Sequence, residues 1–129
     1  MIHAVLDGQA LLSGIGWPTA PSRRLVQAAL AGRVVPVTSP ALLAELEQAL
    51  AAPPLRELFL EPDLLLESIE RVSLVVEPRK RLKVARFDPS NRLLEAAHAA
   101  EAGYVVTSDI ELLRLGSYAG SKIVRPHPA

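Results

Sequence analysis

The chain of 129 residues contains no cysteine, few aromatic residues and no excess of either charge. The absence of cysteine excludes disulfides and thiolate metal sites, and it is compatible with a reducing compartment. Fourteen basic and fourteen acidic side chains give a formal net charge of zero, so no overall field draws the protein onto nucleic acid. Because no apolar run approaches the length of a membrane span, we expect no membrane contact and a cytoplasmic protein.

The chain does have enough apolar residues, 50%, to bury the core of a single domain spanning residues 1–129. Continuous apolar runs of the kind found in strands covered on both faces occur at 2–6, 34–38, 73–77 and 104–108, with a weaker one at 122–124. Helical patterns lie between them, at 21–33, 39–52, 54–60, 61–72 and 90–103. This alternation predicts a three-layer α/β/α domain with a mostly parallel sheet of four to five strands.

Two of the predicted helices carry start signals. Ser39 precedes Pro40, which is a cap residue followed by a proline at the first helical position. Ser90 is a good N-cap for the helix that follows it and ends at Gly103.

Three acids are predicted to meet at one edge of the sheet. Asp7 directly follows the first strand and Asp109 the fourth, and Glu45 lies near the start of the helix after the second strand. In a parallel sheet, functional side chains gather beyond the carboxyl ends of the strands, and a cluster of carboxylates there suits magnesium or manganese. Each acid alone is also a common helix cap, since it complements the helix dipole. The equivalent positions of Asp7 and Asp109 favour the metal site.

Two segments then resemble a known family. Residues 5–50, beginning "VLDGQALLSG" and including "SPALLAELEQAL", and residues 87–115, "FDPSNRLLEAAHAAEAGYVVTSDIELLRL", are similar to PIN-domain proteins, in particular to toxin components of toxin–antitoxin systems. The resemblance covers nearly the whole chain. It implies a magnesium- or manganese-dependent nuclease acting mostly on RNA, with a parallel sheet flanked by helices and an antitoxin protein as partner.

The resemblance assigns roles to individual residues. Asp7, Glu45 and Asp109 match the family's acids and are the expected catalytic and metal-binding residues. Thr107 matches the hydroxyl of the last family motif, "VT-x-D", and is expected to support the site.

The chain departs from the family pattern at two places. Gly8 and Gln9 stand where the family has threonine and asparagine, and the "DPDDN"-like motif is one residue shorter, which places Ser90 on the acid expected to face the metal. Gln9, Asp88 and Ser90 are therefore treated as supporting residues. Losing a carboxylate removes ligand charge, so metal binding should weaken. Pro89 restricts the backbone of Asp88, which argues against its moving in to compensate.

Two further features have two interpretations each. Residues 77–90 form a basic stretch without a clear period, predicted to be an exposed loop that either meets phosphates or is simply solvated. The second interpretation is favoured because no aromatic residues are interleaved for base stacking among the basic residues, which are Arg79, Lys80, Arg81, Lys83 and Arg86. Trp17 either packs its loop or stacks on a base.

Three hypotheses follow. The first is a metal-dependent endoribonuclease that uses Asp7, Glu45 and Asp109. The second is a catalytically weakened or inactive PIN-like domain that binds protein or RNA. The third, a small-ligand or nucleotide-binding domain, needs a phosphate-binding loop that the sequence does not contain. The apolar helices between residues 55 and 72 predict either a homodimer interface or completion of the core.

Overall fold

A computed structural model describes residues 1–126, in which strands and helices alternate as predicted. The strands are β1 (Ile2–Leu6), β2 (Val34–Thr38), β3 (Leu74–Val75), β4 (Tyr104–Val106), β5 (Ser117–Tyr118) and β6 (Ser121–Val124). The helices are α1 (Gly8–Gly16), α2 (Arg23–Leu30), α3 (Pro40–Ala51), α4 (Leu55–Leu58), α5 (Pro62–Val72), α6 (Asp88–Ala100) and α7 (Ile110–Leu115). Positions 127–129 of the predicted domain lie outside the described residues.

The strands form one sheet in the order β3-β2-β1-β4-β6-β5. All neighbouring pairs are parallel except β5 and β6, which confirms a mostly parallel sheet. The sheet has six strands rather than four to five. The additional strand, β5, is only two residues long, too short to produce a hydrophobic pattern that sequence reasoning can detect.

Helices cover both faces of the sheet, which confirms the three-layer arrangement. On one face, Val5, Val105 and Ile123 pack in a cluster with buried residues of α6 and α7. On the other face, Ala4 and Val106 pack with residues of α1 and α2. A third cluster joins α1, α3 and α5 beside the sheet. This packing fixes the carboxyl ends of β1 and β4 relative to the helices that follow them.

Helix α1 was missed in the sequence because it contains glycines, which weaken a helical pattern. The structure shows why one of them is there. A Cβ atom on Gly14 would lie 2.4 Å from Cγ2 of Val26 in α2, so only glycine allows the two helices to approach this closely. Tertiary packing therefore overrides the low helix propensity of the segment.

The third strand is shorter and more exposed than the sequence predicted. The apolar run at 73–77 forms only a two-residue edge strand, and Leu74 and Val75 are 41% and 37% exposed. It pairs with β2 only from Val37 onward, after Pro36, which has no N–H to donate to a ladder. The prediction that this run is covered on both faces was wrong.

Helix α6 begins two residues earlier and ends three residues earlier than predicted. It starts at Asp88 with Pro89 in its first turn, and it ends at Ala100, followed by Glu101 in the left-handed conformation (φ 50°). Proline favours the first turn, where its missing N–H has no helical partner. Within residues 1–126, no helix has the length and apolar character that crossing a membrane requires.

Candidate active site

Asp7 and Asp109 lie side by side at the carboxyl edge of the sheet. Asp7 follows β1 and Asp109 lies three residues after the end of β4, and these strands are parallel neighbours with Leu6 opposite Val106. The backbone N–H of Asp7 continues the ladder by donating to the carbonyl of Val106 at 2.9 Å. The adjacency on which the sequence argument depended is therefore present.

Thr107 joins the two aspartates. Its hydroxyl donates to Oδ2 of Asp7 at 2.7 Å and accepts from the backbone N–H of Asp109 at 3.0 Å. The Thr107 side chain is buried, with 1% of its surface exposed, so this link is protected from solvent. A second donor, the backbone N–H of Ser108, reaches the same oxygen of Asp7 at 3.3 Å. Thr107 thus sets the orientation of one carboxylate and the backbone position of the other.

Both aspartates also cap helices. Oδ1 of Asp7 accepts from the N–H of Ala10 at 2.7 Å and caps α1. Oδ1 of Asp109 accepts from the N–H groups of Glu111 and Leu112, at 2.8 and 3.3 Å, and caps α7. The capping interpretation and the site interpretation of these residues are therefore compatible, because capping uses one oxygen of each carboxylate.

Ser90 lies against Asp109 instead of capping a helix. Because α6 starts at Asp88, Ser90 belongs to its first turn and is 4% exposed. Its hydroxyl donates a hydrogen bond to Oδ2 of Asp109. The N-cap prediction for Ser90 was wrong. A neutral donor occupies the position beside Asp109 at which the sequence comparison with PIN domains led us to expect an acid.

Asp88 is turned toward a different partner. Its carboxylate pairs with Arg92 one turn along α6 at 3.2 Å, and it accepts from Nδ2 of Asn91 at 3.3 Å. Arg92 is itself 5% exposed and also pairs with Glu95 at 3.0 Å, while its buried Nε has no hydrogen-bond partner. Asp88 is thus held in an ion-pair network on α6.

Glu45 lies in the second turn of α3 and is half-buried. Burial raises the pKa of its carboxyl above the ordinary value of 4.5, the nearby Arg92 guanidinium opposes that rise, and Asp88 adds to it. Glu45 also lines a cavity of about 490 Å³ together with Gly8, Gln9 and other residues of α1 and α3. It therefore shares a cavity with the residues that follow Asp7.

Gly8 and Gln9, the two departures after Asp7, have different environments. A Cβ atom on Gly8 would lie 3.2 Å from Cδ2 of Leu46, so a side chain there would press α1 against α3. Gln9 is exposed at the cavity. Trp17, which lines the same cavity, packs edge-on against Phe59 at the end of α4 with ring centroids 6.3 Å apart, and it keeps 40% of its surface exposed.

The acids do not form a complete metal cage. Within the described part of the chain, no group of three or more Asp, Glu or His side chains is arranged to hold a metal ion, so Glu45 is not brought together with Asp7 and Asp109. Asp7 and Asp109 at adjacent strand ends are donors of the kind that a hydrated magnesium ion uses, since this ion keeps several waters and commonly takes one or two carboxylates plus substrate phosphates. The residues present therefore fit an ion that is held by few protein ligands.

Sequence reasoning missed the buried polar residues of α6. Asn91 is 1% exposed, and its Oδ1 accepts from the backbone N–H groups of Val84 and Ala85 at 2.9 and 2.8 Å. Arg92 and Glu95 form the ion pairs described above. The spacing of Asp88, Arg92 and Glu95, four and three residues apart on a helix, is the signal that would have predicted those pairs.

Comparisons with known proteins agree with this architecture. A family model described as PIN domain matches residues 3–111. Among solved structures, the chain is similar to the crystal structure of VapBC2 from Rickettsia felis bound to a DNA fragment from their promoter, with a TM-score of 0.63 and 13% identity. The match covers 96% of this chain and 98% of the matched chain in that structure. No curated protein matches the chain significantly.

Proposed function

The chain belongs to the PIN-domain family, and from this we propose that it is a magnesium- or manganese-dependent endoribonuclease that acts as the toxin of a toxin–antitoxin pair. The observation that carries the proposal is the pair Asp7 and Asp109, held at the carboxyl ends of adjacent parallel strands and linked through Thr107. We expect such a toxin to act in the cytoplasm, where its RNA substrates are.

In this proposal, Asp7 and Asp109 hold the ion, and Glu45, which lines the cavity beside Gly8 and Gln9, is the third acid of the site. A bound magnesium or manganese ion activates water and stabilises the charge that develops on a phosphodiester. The protein's own contribution is to fix the two aspartates before any ion arrives: Thr107 orients Asp7, and Ser90 holds Oδ2 of Asp109. Half-burial of Glu45 raises the pKa of its carboxyl, which is the direction expected of a carboxyl group that transfers protons, and we assign it that role in the proposal.

A second candidate function is a catalytically weakened or inactive PIN domain that binds RNA or a partner protein. Two observations favour it. Ser90 supplies a neutral hydroxyl beside Asp109, and the described residues contain no three-acid arrangement. With fewer anionic ligands the ion binds less tightly, because the affinity of such sites rises with the charge of their ligands.

Two protein partners belong to the proposal. An antitoxin follows from the toxin assignment, and the similar structure from Rickettsia felis is a complex named VapBC2. A homodimer follows from the apolar surface around α4 and α5, where Leu58, Leu60 and Leu64 are 56%, 83% and 56% exposed. Exposed leucines grouped on one surface are typical of protein interfaces.

Manganese titration by calorimetry tests the metal site, with Asp7→Asn as the variant. Asparagine caps helices about as well as aspartate, so the variant should keep α1, while it loses the charge and the second oxygen that accepts from Thr107 and Ser108. Asp63→Asn, in the first turn of α5, removes the same charge elsewhere and is the matched control. We expect weak binding that Asp7→Asn abolishes and Asp63→Asn preserves.

Cleavage of a labelled RNA by the same three proteins then separates the two candidate functions. Manganese-dependent cleavage that disappears in Asp7→Asn supports the nuclease. Metal binding without cleavage supports the weakened domain, and the absence of both manganese binding and manganese-dependent cleavage excludes the metal-dependent reaction.

A further inference from the structure

The basic segment between β3 and α6 carries a concentration of charge that the proposed chemistry does not use. We name residues 78–86 the basic loop; its cationic side chains are Arg79, Lys80, Arg81, Lys83 and Arg86. All five residues are exposed, and the chain as a whole is neutral, so a strong local positive patch stands on a molecule with no net field. Such a patch attracts polyanions through local contacts.

The basic loop is attached to the domain by its apolar residues and its backbone. Leu82 and Ala85 pack against the core cluster beneath α6. The backbone N–H of Leu82 donates to Oε2 of Glu95 at 2.8 Å, and that of Ala85 donates to Oδ1 of the buried Asn91 at 2.8 Å. The loop therefore has a fixed course in which apolar side chains face inward and cationic ones face solvent.

The same attachments place the basic loop beside the acidic edge. The N–H of Arg86 donates to both carboxylate oxygens of Glu111, at 3.0 and 3.1 Å, and Glu111 is in the first turn of the helix that Asp109 caps. The loop continues into the first turn of α6, where Ser90 bonds to Asp109. The end of the basic loop therefore lies against the helix that Asp109 caps, so an RNA strand that follows the loop leads toward the acidic edge.

The cations of the basic loop are available for a ligand. In the part of the chain that the structure describes, the only salt bridge from the loop joins Arg81 to Asp88 at 3.8 Å, and both side chains are more than 60% exposed. Exposed pairs of this kind contribute little and exchange readily. A cleft of about 220 Å³ separates Arg79 and Lys80 from Ser39 at the start of α3. Glu95 also lines this cleft, but its charge is already paired with Arg92.

From this arrangement we infer that the basic loop binds the phosphate backbone of single-stranded RNA on its way to the acidic edge. The contacts are to phosphates rather than to bases, because the loop presents guanidinium and ammonium groups and contains no aromatic side chain, Phe87 being the residue that follows it. The inference rests on the proposed function, since it takes RNA as the ligand. It concerns binding and does not require that the RNA be cut.

The test measures binding without cleavage, by fluorescence anisotropy of a labelled single-stranded RNA in EDTA. For contacts between five cations and a single strand, the logarithm of the affinity falls with the logarithm of the salt concentration with a slope of about −3.5. The affinity should therefore fall about 100-fold between 50 and 200 mM salt. The variant Arg79→Gln/Lys80→Gln/Arg81→Gln should bind up to about 100-fold more weakly at 100 mM salt, and its own loss over the same salt range should shrink to about 7-fold.

The matched control removes three exposed arginines from elsewhere, as Arg24→Gln/Arg33→Gln/Arg125→Gln. It should keep the wild-type affinity and salt dependence. Circular dichroism and thermal unfolding check that both triple variants fold, which we expect because every anchoring contact of the loop is made by its backbone or its apolar side chains.

Two results overturn the inference. One is an equal effect of the two triple variants, which assigns binding to net charge alone. The other is tighter, equally loop-dependent binding of duplex DNA, which assigns the loop to a different nucleic acid. Because all binding is measured in EDTA, failure of the nuclease proposal leaves a loop-dependent RNA affinity intact, and failure of this inference leaves manganese-dependent cleavage intact.

Discussion

Replacing Ser90 by aspartate adds the carboxylate that the PIN family pattern places beside Asp109. The serine hydroxyl already touches Oδ2 of Asp109, and Ser90 is 4% exposed, so the new charge would lie roughly 4 Å from that of Asp109 in a poorly solvated place. At an effective dielectric constant near 20, two like charges at roughly this distance repel by about 4 kcal/mol. Without metal, Ser90→Asp should therefore lower the free energy of unfolding by up to about 4 kcal/mol.

A divalent ion between the two carboxylates removes that repulsion, so manganese should restore the stability of Ser90→Asp. By linkage, the variant should also bind manganese at least about tenfold more tightly than the wild type, since each factor of ten corresponds to 1.4 kcal/mol. Urea unfolding with EDTA and with saturating manganese measures both effects. Ser90→Asn, of similar shape but uncharged, is the control. Equal manganese affinity in Ser90→Asp and Ser90→Asn would refute the reasoning, because the missing charge would then not limit the site.

Two further predictions concern Glu45 and Thr107. Burial raises the pKa of the Glu45 carboxyl in the folded protein. The stabilising contribution of this group is therefore fully present below pH 4.5 and is lost as the pH rises through its raised pKa. In urea unfolding between acid and neutral pH, Glu45→Gln should gain stability relative to the wild type, whereas the exposed Glu47→Gln should not. Thr107→Val removes the hydroxyl that bonds to Asp7 and to the backbone of Asp109, and it should lower the free energy of unfolding by about 1–3 kcal/mol, while Thr107→Ser should keep most of it. Equal losses in the valine and serine variants would mean that packing of the methyl group, and not the hydroxyl, holds the edge together.

The sequence predicted the elements that continuous apolar runs define. β1, β2 and β4 are such runs, and their ends locate Asp7 and Asp109 without any knowledge of the tertiary structure. The start of α3 was predictable for a similar reason, because Ser39 and Pro40 are local signals, and Ser39 does accept from the N–H of Leu42 at 3.3 Å. Continuous apolar runs and local helix-start signals thus predicted most of the fold.

What the sequence did not predict depends on contacts between distant residues. Helix α1 exists because Gly14 allows α2 to approach, and the hydroxyl of Ser90 is directed by an aspartate 19 residues away. The environment of Glu45 was not predictable for the same reason: the pKa of its carboxyl depends on burial and on Arg92 and Asp88, which lie on α6. Such side-chain orientation follows from packing, which no local pattern encodes.

The geometry of the two aspartates also bears on how their presence should be interpreted. Each gives one oxygen to a helix N-terminus and the other to a hydroxyl, Asp7 to Thr107 and Asp109 to Ser90. Because these hydrogen bonds cap two helices and fix the orientation of both carboxylates, folding alone is a sufficient reason for both aspartates to stand where they do. Their presence therefore does not distinguish an active nuclease from a weakened one. What distinguishes them is the charge available beside Oδ2 of Asp109, where the wild type has a neutral donor, and this is the quantity that Ser90→Asp changes.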